Sequence, residues 1–373
     1  MRVVVIGAGI AGASAAWHLA EDASVVMVER ESQAGAHATG RSAAMFTETF
    51  GAAAIRVLAA AGRPFLAEPP EGFSEQRLLT PRGLLWIARP GELRLLEQKA
   101  AEAAELDVEV HQLDTAACRK LVSVLQPQGA AAGVYEPGAM TIDVDALLQG
   151  FLRGARARGA QLHLVSEVSG IIRSASGWRV TAADQHWDCD VVVNAAGAWC
   201  DQVAQMAGVA PLGLRPLRRS VFMFPPPSDV SIDAWPLVIE AGYRFYFEPE
   251  GELLLASPAD ETLSEPCDAR PETEDIARGV QELEAATTLR VRGVRSTWAG
   301  LRTFTSDGVP ATGFDPDHPG FFWLVGQGGY GIKTAPALGR LTAALITQSS
   351  SPHQQPHTPA PDLIKALDPA RFR

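Results

Sequence analysis

The first thirty residues hold a pattern that few folds can satisfy. Residues 2–6 (RVVVI) form a short, almost wholly apolar, β-branched run, and Gly7-x-Gly9-x-x-Gly12 follows at once. Small side chains then recur at helical spacing over residues 11–20 (AGASAAWHLA), and SVVMVER supplies a second apolar run that ends near Glu29. A strand that is apolar throughout must be covered on both faces, which is the habit of parallel sheets. Strand, glycine turn, helix and strand in this order make a βαβ unit whose loop can cradle a pyrophosphate. Gly7 permits the tight turn, Gly9 lets the backbone approach the phosphates, and Gly12 lets helix and strand close together. The unpaired N–H groups of the first helical turn, where Ile10 and Ala11 lie, face the anion. Glu29 would accept both ribose hydroxyls of an adenosine and would repel a 2′-phosphate, so NAD or FAD is expected and NADP is not.

The remaining composition removes several classes of function. At 373 residues the chain exceeds the usual size of one domain, so two interleaved domains are expected. Acidic residues outnumber basic ones, 43 to 32, and the net charge of −11 disfavours a nucleic-acid partner. No apolar run is long enough for an integral membrane segment, and Met1 leads straight into a strand without the pattern of a secretory signal. Cys118, Cys189, Cys200 and Cys267 lie far apart with no CxxC pair, so four free, buried or half-buried thiols and no metal site are expected. A cytoplasmic location follows, with peripheral attachment to the inner membrane left open.

Along the chain, Ala-rich stretches at 52–62 and 93–104 read as helices, DVEVHQL (107–113) as a strand, and 145–158 as an amphipathic helix. Short β-branched runs then continue to about residue 199. From 213 to 262 the pattern becomes longer alternating strands separated by Pro- and Gly-containing turns, which suits a mostly antiparallel second sheet. A helix is expected over 273–290, another to about Ile346, and QSSSPHQQPHTPAP reads as a polar tether. The fold class is therefore α/β, a Rossmann-like domain for NAD or FAD with a second, mostly antiparallel substrate domain. Residues 1–80, 141–212 and 296–373 are assigned to the first, and 81–140 and 213–295 to the second.

Five further segments point to a flavin family: ERESQAGAHATGRSAAMF, VVNAAGAWCD (192–201), PLGLRPLRRS, TWAGLRTFTSDGVP (297–310) and GQGGYGIKTAPALG (326–339), with LDPARF at the close. Together they resemble the D-amino-acid-oxidase-type FAD oxidoreductases, the family of glycine oxidase and the D-amino-acid dehydrogenases. The resemblance spans nearly the whole chain and is nearest to the bacterial D-arginine dehydrogenases. It implies FAD cradled by Gly7, Gly9 and Gly12, with Glu29 and Arg30 at the adenosine and Val168 near the adenine. It puts Thr39, Gly40, Arg41, Ser42, Ala43 and Ala44 in a turn beside the isoalloxazine and Ala196 with Gly197 in the pocket wall. Gly300, with Gly329, Tyr330, Gly331 and Ile332, falls at the flavin's far edge. The Gly328-Gly329-Tyr330-Gly331 turn has an independent reason, since amides at a helix N-terminus stabilise the negative charge that a reduced flavin gathers. Cys200 reads as a small buried hydrophobe and not as a point of covalent flavin attachment.

Oxidising an amino acid through flavin asks the protein chiefly for orientation, and a planar arginine fork is the best handle for a carboxylate. Arg302 is the first candidate for that clamp. The resemblance adds Arg219 and the Tyr246 hydroxyl, although Arg219 stands in a doublet with Arg218, of which at least one is expected to make a surface ion pair. Tyr330 and Gly329 border the same pocket. Where D-arginine dehydrogenases carry histidine, tyrosine and a guanidinium-binding glutamate, this chain carries Met45, Phe50 and Leu84. With Val238 these make an apolar side-chain pocket, so D-arginine and D-lysine are expected to be poor substrates. Glu48 and Arg244 fall near the site and are candidates for specificity, Arg244 toward a second acidic group.

The expected reaction is oxidation of a neutral D-amino acid, or of a small secondary amine or glycine derivative, to an imine that water hydrolyses to the keto acid. The partners are then a small-molecule amine or amino acid and an electron acceptor, quinone or dioxygen, with a dehydrogenase favoured by resemblance. Oxidation of a 2-hydroxy acid is the alternative, disfavoured because no histidine is placed as a base for the hydroxyl proton. A non-catalytic dinucleotide-binding sensor is the third reading.

Overall fold

Arg2–Ile6 becomes the middle of a six-stranded sheet because valine and isoleucine on both of its faces find cover. Val3 and Val5 join one core cluster, while Val4 and Ile6 join another on the opposite side. The order is Ala311–Phe314, Phe321–Val325, Val191–Asn194, Arg2–Ile6, Ser24–Val28, Gln161–His163. All neighbours are parallel except the Ala311–Phe314 edge. Helices Ile10–Leu19, Val144–Ala157 and Gly331–Thr347 cover one face, packing Phe151, Leu338 and Leu341 against it. A three-stranded antiparallel sheet of Val168–Ser174, Gly177–Ala182 and Gln185–Cys189 covers the other, with Trp178 and Trp323 buried between. The computed structural model describes residues 1–174, 177–347 and 361–373. The polar tether expected over 348–361 lies outside the described residues apart from Pro361, which opens the short helix Pro361–Leu367.

A nine-stranded sheet stands beside the first. Its pairings are antiparallel except where Leu237–Glu240 runs parallel to Leu84–Ala88. The long strand Arg215–Phe224 anchors it, pairing in register with Ser296–Phe304 from Arg215↔Phe304 to Met223↔Ser296. Ser296–Phe304 thus belongs to this second sheet, so a division of the chain at residue 296 does not follow the sheets. Phe222, Phe224, Phe245 and Phe247 pack on one face beneath helix Thr273–Ala286. The opposite face, carrying Tyr246 and Arg302, looks into a cleft between the two sheets.

Most expected elements form within a few residues of their sequence bounds, and two are shorter. The strand expected over 107–113 begins only at His111, after Asp107 adopts a positive φ of 54°. The helix expected to reach 290 ends at Ala286, where Thr287 turns extended and its hydroxyl donates to the Leu283 carbonyl at 2.7 Å.

Candidate active site

At one end of the cleft the glycine loop is held by close backbone approach. Gly7 has φ +101°, and a Cβ there would lie 2.6 Å from the Ala195 carbonyl oxygen. A Cβ on Gly12 would lie 1.9 Å from the Gly7 carbonyl oxygen, so Gly12 sits behind the cleft as the packing glycine while Gly7 and Gly9 line it. Helix Ile10–Leu19 therefore opens toward the cleft, and the Ile10 amide donates to Thr39 Oγ1 at 3.0 Å. Ile10 and Ala11 line the next section. The Glu29 carboxylate, only 8% exposed, accepts from the amides of Ala8 at 2.8 Å and Glu31 at 3.0 Å, which holds it at the wall. Arg30 lies over the Trp199 ring at 5.0 Å, and Val168, Ala196 and Gly197 complete this end.

Within the Thr39–Ala44 turn, Thr39, Arg41, Ser42 and Ala43 line the cleft. Gly40 and Ala44 do not. The Gly40 amide closes the turn on the Gly35 carbonyl at 2.8 Å, and the Ala44 carbonyl accepts from Ile142 at 2.9 Å. Arg41 donates to the carbonyls of Ala269 and Ala299 at 3.0 and 2.9 Å and pairs with Asp268, tying the turn to the second sheet. Gly300, Gly328, Gly329, Gly331 and Ile332 line the cleft's central section, at the start of helix Gly331–Thr347. Cys200 is buried, which pushes its thiol well up, and it is not among the lining residues. All four cysteines are free, and Cys267 is exposed rather than buried because it sits at the cleft's rim.

Arg302, Arg219, Tyr246 and Tyr330 meet at the other end. Burial, then the neighbouring Arg219, pulls Arg302 below its ordinary value. Its side chain keeps 23% exposure within the cleft and makes no hydrogen bond to any described residue, its nearest acid being Glu261 at 4.0 Å. The guanidinium lies directly over Gly329, where a Cβ would be 1.9 Å from Nη2. Arg219 spends its donors on the Asp260 carbonyl at 2.8 Å and on Glu261 at 2.9 Å, and rests over the Tyr246 ring at 5.9 Å. Strand alternation sorts the doublet, for Arg218 emerges on the other side and pairs with Glu272 and Asp275. The same alternation puts Phe245 and Phe247 in the core and Tyr246 in the cleft.

Beyond this pair the cavity is lined by Met45, Phe50 and Leu84, as expected from sequence. Val238 is not there. It is fully buried against Phe247 and Leu85 on the sheet's far face, and its neighbours Leu237 and Ile239 take the lining positions. Arg244 is also elsewhere, held by Glu92 and Glu240, so it has no free fork for a second acidic group. Glu48 pairs with Arg63 at 3.2 Å and does not line the cavity.

Among the further lining residues that escaped sequence reading, four shape the cavity. Tyr243 stacks on Phe50 at 6.0 Å, and Tyr330 meets the same ring edge-on at 5.4 Å, forming an aromatic wall. Lys333 donates to the carbonyls of Thr47 at 2.8 Å and Phe50 at 2.6 Å, and burial brings it down to about 7. Glu261 joins Arg219, and Glu248 shares the Tyr246 face of its strand. The i, i+2 relation of Tyr246 and Glu248 was a signal available in the sequence; the reach of Lys333 to residues nearly three hundred positions away was not. No histidine is among the described residues lining this end, and no described group of His, Cys, Asp and Glu is arranged to hold a metal.

Comparison with known proteins agrees with this architecture. The profile of the FAD dependent oxidoreductase family DAO matches residues 2–345. Glycine oxidase of Pseudomonas putida is 25% identical, covering 93% of this chain and 94% of its own. FAD-dependent oxidoreductase domain-containing protein 1 of Bos taurus is 26% identical over 93% of this chain and 81% of its own. Among solved structures, L-proline dehydrogenase from P. horikoshii superposes with a TM-score of 0.83 at 21% identity, covering 100% of this chain and 97% of the other. Glycine oxidase from Geobacillus kaustophilus gives 0.82 at 22% identity, covering 94% and 96%.

Proposed function

The chain belongs to the DAO family of FAD-dependent oxidoreductases, and on that premise we propose that it oxidises the Cα–N bond of a neutral D-amino acid, or of a small secondary amine, to an imine that hydrolyses to the keto acid. One observation carries the reading: a guanidinium deep in the molecule, with no hydrogen bond to any described residue, lies over a glycine at the end of a cleft lined by the glycine loop. An uncommitted buried guanidinium is costly, and a substrate carboxylate would satisfy it with two parallel bonds. Glu261, which already joins Arg219 and approaches Arg302, supports an acid group at this spot.

The residues fit FAD. Gly7 and Gly9 leave a cradle that side chains would fill, the first turn of the Ile10–Leu19 helix beyond the Ile10 amide held by Thr39 would face the pyrophosphate, and Glu29 would face the ribose. When bound, the flavin accepts the hydride. Arg302, with Arg219 and Tyr246 beside it, would hold the carboxylate so that the α-carbon faces the ring. The amides of Gly331 and Ile332 would oppose the negative charge on the far edge. Met45, Phe50, Leu84, Leu237 and Ile239 would take an apolar side chain. No described histidine lines the substrate end, but Lys333 and Glu248 do, so the 2-hydroxy-acid alternative is kept as an arm of the test. No helix among the described residues is long and apolar enough to cross a membrane, and we place the enzyme in the cytoplasm, passing electrons to a quinone or dioxygen.

The test is anaerobic bleaching of the FAD-reconstituted protein by a panel of glycine, N-methylglycine, both enantiomers of alanine, proline and methionine, and D-lactate. Reduction by D-methionine, D-alanine or N-methylglycine is expected. Reduction by D-lactate and by no amine, or by no compound at all, would overturn the proposal.

A further inference from the structure

The charged side chains lining the substrate cavity are mostly committed. Arg219 is held by Asp260 and Glu261, Lys333 by two carbonyls, and Asp307 by Arg371 and the Thr305 hydroxyl. Two deeply set ones are not. Arg302 makes no hydrogen bond to any described residue, and neither does Glu248. Glu248 is only 5% exposed, and that exposure opens into the cavity it lines. Burial, and after it the Glu250 carboxylate, pushes it up to about 7, with Arg82 pulling weakly the other way.

The two line one cavity, with Tyr246 between them. Glu248 follows Tyr246 on the same strand face, which sets it about 7 Å further along the strand. Tyr246 stands beside the Arg219 and Arg302 guanidiniums. Leu237 and Leu84, neighbours in register on the two adjoining strands, stand level with Glu248 and complete its surroundings. A side chain that leaves an α-carboxylate at Arg302 and runs past Tyr246 therefore ends among two leucines and a carboxyl group with no hydrogen bond to any described residue. Once a ligand fills the cavity and excludes water, an acceptor left there without a partner is unfavourable unless the ligand supplies the donor.

We infer that Glu248 is a specificity-determining residue that accepts a hydrogen bond from a donor at the far end of the substrate side chain, so that an uncharged chain ending in a primary amide is preferred to an aliphatic chain of equal length. Leu84 and Leu237 are apolar, and Glu248 in the same row gives the pocket one polar terminus. The inference rests on the reading of the reaction proposed above and narrows its substrate class.

The experiment compares kcat/KM for flavin reduction by D-glutamine and D-methionine, similar in length, in the FAD-loaded wild type, Glu248→Leu and Glu248→Gln. The wild type should favour D-glutamine. In Glu248→Leu that ratio should fall at least tenfold while D-methionine is oxidised as well as before or better; Glu248→Gln should retain part of the preference. Leucine replaces an unpaired buried carboxyl among leucines, so the melting temperature of Glu248→Leu should not drop. A ratio within twofold of wild type in Glu248→Leu overturns the inference, as does a flavin reduced by glycine derivatives alone. Reduction by no amine in any variant is a different failure, that of the reaction itself.

Discussion

Adding one methyl group at Gly329 should disable the proposed clamp without touching the arginine. A Cβ built there lies 1.9 Å from Arg302 Nη2, 2.4 Å from Cζ and 2.5 Å from Nε. Ordinary contact begins near 3.4 Å, so the guanidinium must withdraw by about 1.5 Å. Gly329 itself does not adopt a positive φ, so its backbone accepts alanine without strain. The methyl meets the end of a flexible side chain, and global stability should change little. Misplacement of a positioning group by about 1 Å can cost a hundredfold in rate, equivalent to about 2.7 kcal/mol of transition-state binding. Stopped-flow reduction of the loaded enzyme under anaerobic conditions should show kcat/KM down about a hundredfold in Gly329→Ala. The decisive arm is the double variant Gly329→Ala with Arg302→Ala. If the methyl acts only through the guanidinium, the double variant should be no worse than Arg302→Ala alone. Wild-type kinetics in Gly329→Ala, or a full further hundredfold loss in the double variant, would refute the reasoning.

Gly12→Ala sets its Cβ 1.9 Å from the Gly7 carbonyl oxygen, a backbone atom that cannot swing away, and should cost about 2 kcal/mol or more; a lower melting temperature and a reduced flavin-to-protein absorbance ratio would report it. Glu29→Gln removes the charge from a carboxylate that accepts from Ala8 and Glu31 and would face the ribose, so FAD affinity by titration should fall about tenfold or more. Burial, helped by Arg340 and Arg158, holds His18 down to about 3 from 6.5. The unfolded chain therefore gains a proton that the folded one refuses as pH falls below 6.5, and stability present above that value is lost at up to about 1.4 kcal/mol per unit on the way to 3. Urea unfolding at pH 7, 6 and 5 should show that loss in the wild type and a flatter profile in His18→Gln.

Local patterns in the chain were enough to establish the nucleotide end of the molecule. A five-residue apolar strand, glycines at fixed spacing and an acid at the next strand's end interact within one βαβ unit, and the structure keeps Gly7, Gly9, Gly12 and Glu29 where that unit requires them. Arg302 and Gly329 were legible for a similar reason, each lying in a compact motif. The substrate cavity was harder to read because its composition depends on strand parity and on distant partners. A shift of one residue decides that Leu237 and Ile239 line it and Val238 does not. Arg244 looked available until Glu92, 152 positions earlier in the chain, closed on it, and Arg218 differs from Arg219 only in which acids its side of the strand meets. Lys333 reaches Thr47 across 286 positions, and Glu248 has no hydrogen-bond partner among the described residues around it. Hydrophobic period and turn chemistry act over a few residues and are written along the chain; charge pairing and the facing of a cavity wall arise where remote segments meet, and only the packed molecule decides them.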